Sequence, residues 1–174
     1  GNTILVTGGA SGIGRALAEV FHAQGNTVIV AGRRRAALDA VVAANPGMIA
    51  MELDVADPAA VTAFAAAITA AHPALNVVVN NAGIMVPEQM TAAPANLAVA
   101  EAMVITNLLG PIRLTAALLP HLMAQPAASI VTVSSSLAFV PLVTTPTYSA
   151  TKAAIHSWFM AIRRQLAETS VEVI

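Results

Sequence analysis

The chain has 174 residues, of which 57% are hydrophobic and 10% charged, with a net charge of −1 and no cysteine. That length suits one domain, spanning residues 1–174, with a sizeable core. The charge, with no basic cluster beyond Arg33–Arg35, argues against a nucleic-acid surface, and the lack of cysteine excludes disulfides and thiol catalysis and fits the cytoplasm. Mean hydropathy is +0.74. The apolar runs Ala59–Pro87 and Leu114–Val133 are nevertheless cut by His72-Pro73, Asn76, Asn80-Asn81, Pro120-His121 and Gln125-Pro126. No clean membrane span of about 18 apolar residues is expected. No signal-peptide pattern is visible. The chain lacks an initiator Met, and trimming at both ends is expected.

In chain order, short β-branched runs alternate with alanine-rich stretches. Strands are expected at Thr3–Thr7, Thr27–Ala31, Met48–Leu53, Val77–Asn80 and Ser129–Ser134, with a sixth starting at Val171. Helices are expected at Gly12–Gln24, Arg34–Ala44, Pro58–Ala71, Ala95–Met123 and Tyr148–Thr169. The strands are continuously apolar, which marks a sheet covered on both faces. An α/β fold follows: a Rossmann-like, doubly wound parallel sheet with helices on both faces. Asp57-Pro58 is a good helix start, with Asp as N-cap and Pro at the first helical position. Gly110-Pro111 should kink or divide the long fourth helix.

The first strand runs into TGGASGIGRALAEVF, with Gly8, Gly12 and Gly14 at the strand–helix junction. Missing Cβ atoms let backbone approach a pyrophosphate, and the helix start offers free N–H groups. A plain glycine-rich turn is the alternative. The second strand ends in VIVAGRRR. Gly32 stands where an acid would bind an adenosine ribose hydroxyl, and Arg33 and Arg34 follow, as suits a 2′-phosphate. NADP(H) is therefore favoured and NAD(H) stays possible, with a solvated basic helix start as the alternative.

Tyr148 and Lys152 stand four residues apart in TYSATKAAIHS, so they share a helix face. A free phenol has a pKa of about 10, and a neighbouring cation stabilises the phenolate. His22, His72, His121 and His156 are scattered without ligand spacing, so no metal site is expected. Met85, Met90 and Met103 suit either a substrate pocket or the core. Ile155, Trp158, Phe159, Ile162 and Leu166 form a core stripe on the last helix. Its other face, with Ala153, Ala154, Ser157, Met160 and Ala161, is small or apolar as well, which points to a subunit interface.

Six pieces in order give the chain a family resemblance: TGGASGIG (7–14), LDV (53–55), NNAG (80–83), Asn107 in ITNLLG, Ser135 in IVTVSSSLAF and YSATK (148–152). The chain resembles the short-chain dehydrogenase/reductase family. GNTVIVAGRR and the opening strand are also similar to oxidoreductases encoded beside teichoic-acid D-alanylation genes. The resemblance implies NADP(H)-dependent interconversion of a carbonyl and a secondary alcohol. It implies Tyr148 as general acid/base, Lys152 as its cation and ribose ligand, and Ser135 as the hydroxyl that binds the substrate oxygen. Asn107 would stabilise a helix kink and a proton-relaying water. Gly8, Ser11, Gly12, Ile13, Gly14, Arg33, Arg34, Asp54, Val55, Asn81, Ala82 and Gly83 would contact the cofactor, together with Tyr148 and Lys152. For Asp54 a turn role is the alternative, and for Asn81–Gly83 an ordinary strand-end turn. A homodimer or homotetramer acting on a small-molecule carbonyl or alcohol is implied, with neither nucleic acid nor membrane as partner. The other functional class is a catalytically silent nucleotide-binding sensor or scaffold. The family continues past the point matching Ile174 with a Pro-Gly turn, a substrate-covering segment and a last strand, so a truncated or disordered C-terminal part is expected. The loop Leu137–Thr147 is apolar, in keeping with an apolar substrate or with packing.

Overall fold

The computed structural model describes residues 1–91 and 97–174. Six strands form one sheet in the order β3-β2-β1-β4-β5-β6, every neighbouring pair parallel. They are β1 (Thr3–Thr7), β2 (Thr27–Gly32), β3 (Ile49–Glu52), β4 (Leu75–Asn80), β5 (Ala128–Thr132) and β6 (Val171–Val173). The helices are α1 (Gly12–Ala23), α2 (Arg35–Ala44), α3 (Pro58–Ala71), α4 (Leu97–Val104), α5 (Gly110–Met123) and α6 (Pro146–Gln165). The chain winds outward from β1 to β3, then returns to the other side of β1 for β4. That reversal opens a crevice at the C-terminal ends of β1 and β4.

Successive strand residues feed opposite faces, because side chains alternate along a strand. Leu5, Ile29, Val78 and Ile130 join one core with Phe64, Ile68, Leu114, Leu118, Leu122, Ile155 and Phe159, from α3, α5 and α6. Ile4, Val6, Val28, Val30 and Val79 join the other with Ala18, Leu38 and Val41, from α1 and α2. Both faces are therefore apolar, as the continuous runs require. The edge strand β3 differs: its residues are only half-buried and Glu52 is exposed, and it is shorter than Met48–Leu53.

Local signals fix several boundaries. Asp57 caps α3, its carboxylate accepting from the N–H groups of Ala59 (2.8 Å) and Ala60 (3.2 Å). The last helix starts at Pro146, two residues before the expected Tyr148, because Pro146 fits the first helical position without needing a donor. It ends at Gln165 rather than Thr169.

The expected start of the long helix at Ala95 lies outside the described residues. From Leu97 to Met123 the backbone stays helical, and the expected division at Gly110-Pro111 takes the form of a change of helix type, with α5 starting at Gly110. Gly110 stays helical, with φ −55° and ψ −60°. The irregularity lies upstream, in a π turn over Ile105–Leu109, where the Gly110 N–H bonds the Ile105 carbonyl five residues back. Pro111 has no N–H for the carbonyl of Asn107, and the wider turn accommodates that loss. Gly110 itself lies against β3's exit: a Cβ there would come 3.0 Å from the Val55 carbonyl. The stretch Leu97–Met123 is not a clean apolar run, since Glu101, Asn107 and Arg113 fall within it. Among the described residues this 27-residue helix, with mean hydropathy 1.6, is long and apolar enough to cross a bilayer by length and composition. The sequence cuts at Pro120-His121 do not interrupt it, since Pro120 sits within the helix. Its apolarity is used inside the fold, where Met103, Leu114, Leu118 and Leu122 are fully buried.

Truncating Leu118 to Ala should leave a cavity between α5 and the sheet and cost about 2–5 kcal/mol. A urea melt of the variant beside the parent checks this, and an unchanged midpoint would contradict the packing described.

Candidate active site

The crevice at the C-terminal ends of the strands holds a cavity of about 310 Å³. Loops from four strands line it: Gly8, Ser11 and Ile13 after β1, Arg33 and Arg34 after β2, Asp54 and Val55 after β3, and Asn81, Ala82 and Gly83 after β4. Gly14, buried under this rim, packs instead of lining. A Cβ on it would collide with the Asn81 side-chain amide and the Gly8 carbonyl. Gly8 (φ +69°) and Gly12 (φ +56°) hold left-handed conformations that other residues rarely adopt. The space where a Gly12 Cβ would stand is open. The first N–H groups of α1 have no partner within the helix and face this rim. Gly9 escaped the sequence reading. A Cβ on it would lie 2.7 Å from the Val30 side chain, so it is what lets this loop cross β2.

The three arginines part company. Arg35 pairs with Asp39 one turn on, at 2.9 Å, on the exposed face of α2. Arg34 turns the other way and donates to the Ser11 hydroxyl at 3.0 Å. Arg33 and Arg34 thus border the cavity directly after Gly32, the last residue of β2. Asp54 makes the turn bond expected of the alternative, its Oδ1 accepting from the Ala56 N–H at 2.9 Å, and it lines the cavity as well.

Thr7 is the main residue the sequence reading did not single out. Its buried hydroxyl donates to the Val79 carbonyl at 3.1 Å. It accepts from the N–H groups of Asn81 (3.0 Å) and Ala82 (3.1 Å). Asn81 returns a bond from its side-chain amide to the Thr7 carbonyl at 2.9 Å. The only available signal was a threonine at the end of an apolar strand. The paired asparagines diverge, as strand alternation requires: Asn80 is buried and donates to Thr115 Oγ1 at 3.2 Å.

The reacting end lies beyond the cavity. Asn107, Ser135, Tyr148 and Lys152 are not among its lining residues; the lining stops at Ile84 and Thr106. Asn107 is buried in the π turn and grips Ile84 from both sides. Its Oδ1 accepts the Ile84 N–H and its Nδ2 donates to the Ile84 carbonyl, both at 2.8 Å. Nδ2 also donates to Thr151 Oγ1 at 3.3 Å, and Thr151 in turn donates to the Tyr148 carbonyl at 2.7 Å. Lys152 is buried, and its Nζ donates to the Val133 carbonyl at 2.8 Å, two residues before Ser135. The same Nζ stands 5.7 Å from the centre of the Tyr148 ring. Burial pushes the Lys152 ammonium below its ordinary value of 10.5. Ser135 is half-buried while Ser134 and Ser136 are exposed. Its Oγ accepts from the Leu137 N–H at 3.1 Å, and among the described residues it donates to none. The site thus joins Asn107, Tyr148 and Lys152 through Thr151 and the helix, and brings Lys152 to the strand end that carries Ser135.

Around this end, Met85, Met90, Phe139, Val140, Leu142 and Val143 are exposed, whereas Met103 belongs to the core. Packing does not account for the exposed apolar loop, apart from the Phe139 ring, which meets His156 edge-on at 4.9 Å.

Residues 2–174 match the family model described as short chain dehydrogenase. The chain is similar to the oxidoreductase DltE of Bacillus subtilis, 43% identical over 99% of this chain and 69% of that one. It is similar to a solved short-chain dehydrogenase from Streptomyces avermitilis, with a TM-score of 0.90 and 36% identity over 99% of this chain and 63% of that one. A serine dehydrogenase solved in its closed form with NADP+ superposes with a TM-score of 0.90 and 29% identity over 97% of this chain and 68% of that one. The chain spans about two thirds of each of these proteins. It belongs to the short chain dehydrogenase family of oxidoreductases.

Proposed function

We propose that this chain is the dinucleotide-binding and catalytic part of an NADP(H)-dependent oxidoreductase that interconverts a carbonyl and a secondary alcohol. The observation that carries the reading is the link between two sites: the cavity built from four strand ends is lined as far as Ile84, and Asn107 ties Ile84 to Thr151 on the helix bearing Tyr148 and Lys152. The cradle fits a dinucleotide. Gly8, Gly12 and the amides from Ser11 to Gly14 suit a pyrophosphate, and the open space at Gly12 leaves room for it. Arg33, Arg34 and Ser11 are placed for a 2′-phosphate, Asp54 and Val55 for the adenine, and Asn81, Ala82 and Gly83 for the stretch toward the nicotinamide. The similar serine dehydrogenase with NADP+ supports the choice of cofactor. A bound nicotinamide would supply or accept the hydride.

The chain's own residues would handle the oxygen and the proton. The Ser135 hydroxyl has its oxygen engaged by Leu137, which leaves its proton for a substrate carbonyl. Tyr148 would give its proton to that oxygen in reduction and take one back in oxidation. The Lys152 cation favours the phenolate electrostatically. Its burial costs stability while the ammonium is charged. That cost is present at neutral pH and is relieved as pH rises through the lowered Lys152 titration toward 10.5. The exposed apolar residues Phe139, Val140, Leu142 and Val143 favour an apolar carbonyl compound as substrate.

The parent should bind NADPH more tightly than NADH in calorimetry. Replacing Arg33 and Arg34 with Ala should cost NADPH about tenfold or more while sparing NADH. Equal affinities in the parent would remove the NADP assignment. In carbonyl-reduction assays Tyr148→Phe should keep NADPH binding and lose roughly 10²–10⁴-fold in turnover. Lys152→Met should lower turnover as well, because the buried cation beside the Tyr148 ring is gone. Cofactor binding without turnover across a broad carbonyl panel would favour a nucleotide sensor instead. Ala153, Ala154, Met160 and Ala161 are exposed on α6, and we assign this small-residue face to a homodimer or homotetramer. Sedimentation should show an oligomer that Ala154→Arg weakens, and a concentration-independent monomer would overturn it.

A further inference from the structure

We propose that Glu88 is a positioning residue for Tyr148, latching the loop at the cofactor cleft to the helix that carries the acid/base. The inference rests on the function proposed above. Glu88 lies in the stretch after β4, which has no regular secondary structure from Asn81 to Gln89. Met85, Val86, Pro87, Gln89 and Met90 are exposed, and Glu88 alone among them turns inward to become half-buried. Its Oε2 accepts the Thr147 N–H and its Oε1 accepts the Thr147 hydroxyl, both at 2.8 Å. Its own N–H donates to the Thr144 carbonyl at 2.9 Å.

These bonds replace something α6 lacks. The N-cap Thr145 makes no side-chain cap, Pro146 has no N–H, and the first turn carries no acidic residue of its own. Thr147 therefore presents the first free N–H of the helix, and a carboxylate 59 residues away in sequence answers it. A negative charge is favourable at that end of the helix. Among the described residues Glu88 forms no ion pair, so the helix start is what its charge faces.

The latch matters because of what lies on either side. Toward β4 the same loop carries Gly83 and Ile84, which line the cavity. Ile84 is held by Asn107, which reaches Thr151 on α6. The loop thus grips α6 at Thr147 and, through Asn107, at Thr151. Tyr148 sits between these two points. With both grips in place the phenol is fixed relative to the loop that borders the cofactor. With Glu88 gone, α6 keeps only the deeper grip, and its first turn is free to shift.

The test uses Glu88→Gln and Glu88→Ala in the complete protein, with NADPH affinity, kcat, KM and thermal melting measured for each. A glutamine can still accept the Thr147 N–H and can donate to the Thr147 hydroxyl, so it preserves both bonds. Alanine preserves neither. The expected result is a kcat about 10- to 100-fold lower for Glu88→Ala, the size that a displacement near 1 Å brings. NADPH affinity should stay near the parent's, at temperatures where the variant is fully folded, and Glu88→Gln should recover most of the loss. Parent-like kcat in Glu88→Ala overturns the inference, as does a Gln variant impaired as much as the Ala one, or a loss that appears only where the variant melts. In those cases an active parent leaves the proposed function standing. A parent that binds NADPH but turns over no carbonyl removes the function and the Glu88 role together.

Discussion

One buried hydroxyl organises the crevice. Thr7 ends β1 and holds the exit of β4 through a donated bond to Val79 and accepted bonds from Asn81 and Ala82. A hydroxyl has one proton and two lone pairs, and all three are used here. β1 and β4 stay paired as far as Val6 and Val79, but at the switch point the connections leaving them part, and unpaired backbone groups there are costly when buried. Thr7 satisfies two of those amides while keeping the crevice open. The phosphate loop leaves from β1 and the loop to the reacting end leaves from β4. Their spacing is therefore set by one side chain, that of a residue which itself lines the cavity.

From that clamp the chain reaches the reacting end by relays. Asn81 fixes Gly8 and Gly14 from above; Ile84 hands the β4 loop to Asn107; Thr151 hands Asn107 to α6. The side chains in these relays, Asn81, Asn107 and Thr151, are short and polar, and each bonds a backbone group, with few rotamers to lose. Lys152 closes the circuit at the Val133 carbonyl, just past the end of β5, the strand next to β4. A buried ammonium held by a neutral carbonyl is stabilised less than one paired with a carboxylate, which leaves its field available to the phenol.

Much of this was legible in the sequence because it is local. The limits of β1 and α3 follow from apolar runs and from Asp57-Pro58, and the glycine loop declares itself by spacing and by its place at a strand end. The arginines at the end of β2 could be flagged, but not sorted. Only the fold shows Arg35 spent on Asp39 while Arg34 turns to Ser11. What could not be read is the choice of distant partners. Thr7 and Asn81 are 74 residues apart, and Glu88 and Thr147 are 59 apart. Nothing in VPEQM marks Glu88, because its partner is an N–H exposed by Pro146. The long helix shows a related limit. Gly110-Pro111 marks where it divides, but only the fold shows that the division is a π turn just upstream and not a gap in the helix.

That π turn makes the long helix a counting device. It joins α4 to α5 without a loop, and each residue in a helix advances the next by about 100°. The wider turn over Ile105–Leu109 holds one residue more than an α turn and takes up its rotation, so Met103 before it and Leu114 after it both face the core. Removing one of these residues would let the turn close to α geometry with both flanks still facing inward. What such a deletion would disturb is the place of Asn107, whose amide holds Ile84 from within the turn. The extra residue thus serves one side chain's aim and not the direction of the helix.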